Sequence, residues 1–171
     1  MMRFSPLTRI ALAGAALAVL ASCVREDEPG MRARLEAWFS LGETRYFAAE
    51  VGCAAGLFGL VDDSVGAAMP VTASVAEMLR VLDRRGRAAL DDPAQPPDAA
   101  LVALANADRA TGMAMRRAAL EARECLSDGA QEMLRTGLTS AGALLAWDAE
   151  SGTVIVIDVP RGVLVAVMGA A

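Results

Sequence analysis

Three cysteines, twenty-one carboxylates and sixteen arginines are the side chains from which this chain would have to build any chemistry. There is no histidine, and all sixteen basic residues are arginine, so lysine is missing too. Ser-His-Asp and Cys-His nucleophiles, His-ligated metals, Schiff-base and P-loop lysines and Ser-x-x-Lys pairs are therefore excluded unless another chain supplies the missing group. Among the carboxylates, Asp62-Asp63-Ser64 with Gly66 comes nearest to a cation cluster. It lacks the Asp-x-Asp-x-Asp-Gly register of a calcium loop and reads as a solvated turn. Nothing in the Asp and Glu spacing selects a glycosidase pair, and Trp38 and Trp147 alone do not make a sugar platform. No catalytic, cofactor-binding or metal-ligating residue is assigned, and an enzyme is the least supported class.

The cysteines are more informative. Cys23 closes an apolar run, Ile10 to Ala21, that follows Arg3 and Arg9 and ends in small residues. A bilayer span needs about 20 apolar residues, and this run falls short before the charged stretch Arg25-Glu26-Asp27-Glu28, so it reads as a cleaved secretory leader. Leu20-Ala21-Ser22-Cys23 resembles the lipobox of bacterial lipoprotein precursors. The resemblance covers only Met1 to about Val24; an ordinary cleaved signal peptide is the alternative. It implies removal of residues 1–22, diacylglycerol on the Cys23 sulfur with acyl chains such as palmitate, and a place in the cell envelope facing the periplasm. Val24, where an Asp would favour inner-membrane retention in that class, points to the outer membrane.

With Cys23 in a thioether, Cys53 and Cys125 remain in an oxidising compartment, and two is the number for one bridge. A structural disulfide between them is expected, with free buried thiols as the alternative. No Cys-x-x-Cys spacing supports a redox or metal pair. The formal net charge is −5, and losing Arg3 and Arg9 makes the remaining chain more acidic, which argues against nucleic acid.

The elements that must position these residues follow from periodicity. Residues 23–30 read as a lipidated tether and 31–171 as one periplasmic domain of the α+β class, mostly helical, with a C-terminal three-stranded antiparallel meander. A short helix is expected over Met31–Ser40, and a core helix from about Glu43 to Leu60 carrying Cys53 and a Gly52-x-x-x-Gly56 pair. Ser74-x-x-Glu77 is a capping box opening a helix that stops near Gly86. Arg84, Arg85 and Arg87 form the one dense basic patch, a solvated helix end that alternatively docks an acidic partner or phosphate. Past the proline-rich linker 91–97, a long helix from Asp98 to about Leu126 carries Met115 and Cys125, interrupted at Asp108 and Thr111. A further helix starts at Asp128-x-x-Gln131, and strands are expected near 143–148, 153–159 and 163–168. Ala143–Trp147 reads as either helix or strand. The last strands are apolar on both faces, so helices, another subunit or a ligand must cover the second face.

These features describe a membrane-anchored envelope lipoprotein that acts as a binding or scaffolding module. Its contacts would be the membrane through Cys23 and an envelope protein, or a second copy of the chain through the final strand. The alternative is a lipoprotein carrying or sensing a small apolar ligand between the sheet and helices bearing Met115 and Met133.

Overall fold

The computed structural model describes residues 26–169. The expected leader and Cys23, the expected lipidation residue, lie outside the described residues. Helix α1 (Glu28–Glu36) is capped by Asp27, whose carboxylate accepts from Gly30 N, so regular structure begins inside the stretch read as a tether. Strands β1 (Phe39–Glu50) and β2 (Cys53–Val65) follow, then the short β3 (Val71–Thr72) and helix α2 (Val75–Arg85). Next come β4 (Arg87–Leu90), helices α3 (Pro97–Ala107), α4 (Arg109–Glu121) and α5 (Asp128–Thr139), and finally β5 (Leu144–Asp148), β6 (Thr153–Asp158) and β7 (Val163–Met168).

A mostly helical domain with a separate three-stranded meander is overturned by this architecture. The three C-terminal strands form where the Val and Ile runs place them, but they are the middle of a seven-stranded mixed sheet in the order β1-β2-β7-β6-β5-β4-β3. Only the β3–β4 pair is parallel. The largest correction falls on Glu43–Leu60, which is not a core helix but most of an antiparallel hairpin turning at Val51-Gly52, with Gly52 at φ 91°. Its second half, Cys53 to Leu60, is apolar or glycine at every position, so helical and strand periods fit equally well there. Burial on both faces is what a central strand requires, and Cys53 to Gly59 is buried at every position. The Gly-x-x-x-Gly pair is divided between the turn, which takes Gly52, and strand β2, which takes Gly56. A Cβ on Gly56 would lie 2.5 Å from Phe58 Cε2 and 3.0 Å from Met31 Sδ, so glycine there lets the Phe58 ring and α1 close onto the sheet.

The long helix expected from Asp98 is two helices. Asp108, in an extended conformation, ends α3 and caps α4 by accepting from Thr111 N at 3.1 Å. The two polar residues that interrupt the apolar stripe are thus the break itself. The capping box on α2 forms, with Ser74 accepting from Glu77 N and the Glu77 carboxylate reaching Ala73 N, and Gly86 at φ 69° ends the helix.

Residues alternate between two cores. Ala55, Leu57, Val154, Val156, Val165 and Val167 face the helices α2 to α5. Ala54, Phe58, Ile155, Ile157, Leu164 and Ala166 face the other way, under Met31 and Leu35 of α1 and the side chains of Trp38, Phe39 and Met69. The second face of the sheet is therefore covered by the chain's own N-terminal helix and the start of β1.

Cys53, at the head of β2, is disulfide-bonded to Cys125 in a 3-10 turn (Ala122–Cys125) after α4, with a Cα–Cα distance of 6.0 Å. Tyr46 of β1 reinforces the bridge, its hydroxyl donating to Cys125 O at 2.9 Å and accepting from Ser127 N at 3.1 Å. Closing a loop of 72 residues removes about 4 kcal/mol of unfolded-chain freedom in the loop-entropy account. Cys53→Ala with Cys125→Ala should lower unfolding stability by about 2–4 kcal/mol in urea titration; an unchanged midpoint would contradict this. Gly56→Val should cost at least about 1–3 kcal/mol by overpacking against Phe58 and Met31, read by the same titration.

Candidate functional site

Two surface features stand on opposite faces of the sheet. The first is an apolar groove of about 370 Å³ between α4 and α5, floored by Leu120, Leu126, Leu134 and Leu138. Leu120, 61% exposed, lies at the open side of the groove. The groove is placed by the junction that Cys125 and Tyr46 hold, since Leu126 and the α5 cap Ser127 follow the disulfide directly. Its rim is charged. Glu132 accepts two hydrogen bonds from Arg135 across one turn, and these hold its carboxyl below the ordinary range and raise the Arg135 guanidinium.

The second feature is a polar cleft of about 360 Å³ on the α1 face, lined by Arg34, Trp38, Arg87, Asp148, Glu150 and Ser151. Arg87 opens β4 and stands directly across from Asp148, which closes β5. The Asp148 side chain is only 2% exposed. Its Oδ2 accepts from Ser151 Oγ at 2.5 Å, while its Oδ1 lies 3.5 Å from Arg87 Nε without hydrogen-bond geometry. Arg87 also donates to Glu150 at 2.9 Å and sits 5.2 Å from the Trp38 ring centroid, a cation–π contact. Arg34, in the last turn of α1, donates through Nη1 to both Glu26 oxygens at 3.2 and 3.3 Å. Its Nε and Nη2 are buried and have no hydrogen-bond partner.

Of the residues singled out by sequence, Cys53 and Cys125 come together. The basic patch divides: Arg84 and Arg85 are exposed at the end of α2, whereas Arg87 turns into the cleft. Met115 is fully buried in the core and Met133 packs at its margin, and neither lines the apolar groove between α4 and α5. The final strand β7 lies between β2 and β6, which leaves β1 and β3 as the sheet edges. Among the described residues no group of three or more Cys, Asp or Glu could hold a metal, and no helix is long and apolar enough to cross a membrane. Sequence reasoning missed Arg34, Arg87 and Asp148 as a set. Their signal was faint: an arginine between a helix-ending glycine and an apolar run, and an aspartate after Ala146-Trp147. No protein-family model, curated protein or solved structure matches the chain.

Removing one partner of a buried ion pair leaves the other charge unpaired. Arg87→Ala should therefore destabilise the fold by about 3 kcal/mol, measured by chemical unfolding. A change within about 0.5 kcal/mol, the range of ordinary surface substitutions, would show that Asp148 does not depend on Arg87.

Proposed function

We propose that this chain is an envelope lipoprotein, anchored by lipid on Cys23, whose domain is a binding module. The observation that carries the reading is the separation of its two ends. Glu26, three residues after Cys23, is already tied to the domain through Arg34, so the anchor can stand at most about 11 Å of extended chain from the α1 face. The apolar groove between α4 and α5 is on the other face of the sheet, turned away from α1. In that arrangement α1 sits at the lipid surface and the groove is presented to the periplasm, where it would take an apolar side-chain anchor from an envelope protein.

The groove also favours a second reading, the carriage of a small apolar ligand, because its volume is in the range of small-molecule sites and its floor is leucine. Under either reading Cys23→Ser should abolish incorporation of labelled palmitate and release the protein into the soluble periplasmic fraction. Unchanged labelling or unchanged membrane retention would refute the anchor. Leu120→Glu should remove in-cell crosslinks to a partner, or a ligand that travels with the protein in native mass spectrometry; retention of both would rule out the groove as the binding surface.

A further inference from the structure

The polar cleft holds complementary groups that the fold leaves unsatisfied. Arg34 contributes Nε and Nη2, a forked pair of N–H donors shaped for two anionic oxygens, and both are buried without a partner. Asp148 contributes Oδ1, an acceptor on a side chain that is 2% exposed, which has no hydrogen bond and faces only the equally unbonded Arg87 Nε at 3.5 Å. Leaving such groups unmade costs free energy, and a cleft of about 360 Å³ is large enough for the small molecule that would satisfy them.

Charge balance decides what kind of molecule that is. Arg34 and Arg87 are offset by Asp148, Glu150 and the Glu26 carboxylate on the far edge of Arg34, so the cleft already carries a slight excess of negative charge. A bare anion would add to that excess, and a bare cation would leave the Arg34 fork unused. A molecule with both charges satisfies both ends without changing the balance. We propose that this cleft binds a small zwitterion, with its anionic oxygens on the Arg34 Nε and Nη2 fork and its primary ammonium on Asp148 Oδ1. Glu150, 80% exposed at the mouth, supplies a second carboxylate for the ammonium, and Trp38 and Arg87 form a wall.

Two sources share this chemistry: the phosphoethanolamine headgroup of a membrane lipid and a free amino acid. Position favours the headgroup, because Glu26 pairs with the same guanidinium and lies three residues from Cys23. That preference rests on the lipid anchor proposed above; the zwitterion site itself does not.

The test is calorimetric titration of the full-length chain in a nonionic, uncharged detergent with glycerophosphoethanolamine, glycine, glycerophosphocholine and inorganic phosphate. Saturable binding of a primary-ammonium zwitterion, tighter than that of phosphate or of the quaternary choline analogue, is expected. Arg34→Lys keeps the charge and the Glu26 pairing but removes the fork, and should weaken binding about tenfold. Asp148→Asn should do the same. Because that site is buried, the exposed variant Glu150→Gln provides a second reading, a loss of about twofold to fivefold with an unchanged unfolding midpoint. Binding of glycerophosphoethanolamine but not glycine supports the headgroup; binding of glycine alone keeps the zwitterion site and overturns the membrane source. No heat with either zwitterion, equal affinity for phosphate, or an Arg34→Lys protein that binds normally overturns the proposal. The titration needs no lipid on Cys23, so its outcome is separate from that of the palmitate labelling.

Discussion

A sheet that is apolar on both faces cannot leave either one in water, and the rest of this molecule answers that constraint. Strands β2, β7 and β6 bury side chains in both directions, with Val154, Val156 and Val165 on one side and Ile155, Ile157 and Leu164 on the other. Four helices cover the first side. The second is closed by one short helix, α1, whose Met31 and Leu35 are fully buried, and by the bulky residues that enter β1. Gly56 marks how tight that closure is. The first described helix, α1, is thus also a lid of the hydrophobic core.

The two covers differ in what they leave at the surface. On the four-helix side, the α4–α5 junction is fixed by the disulfide and by the Tyr46 hydroxyl, and the helices diverge from it around an apolar groove. On the α1 side, the sheet ends in a directly opposed Arg87–Asp148 pair, and the helix adds Arg34 and the chain adds Trp38. Such a cluster is weak support for stability because desolvating the charges offsets most of their attraction. The polar cluster and the leucine-lined groove stand on opposite faces of the sheet.

Local chemistry was legible in the chain. The Ser74-x-x-Glu77 cap, the stop at Gly86, the Val and Ile strands at the C-terminus and the pairing of Cys53 with Cys125 all follow from short-range rules or from counting. The interruption at Asp108 and Thr111 was visible, although its meaning as a helix break required seeing Asp108 cap α4. What the sequence by itself determined is therefore the α2 cap and stop, the C-terminal strands, the disulfide partners and the chemistries ruled out by composition. Only the tertiary structure decided that residues 43–60 form a hairpin, because the stretch Cys53 to Gly59, buried at every position, carries no period to distinguish helix from strand. It alone also brought Arg34, Arg87 and Asp148 into one cleft, since these are joined by strand pairing and helix docking between residues far apart in the chain, which no local pattern encodes.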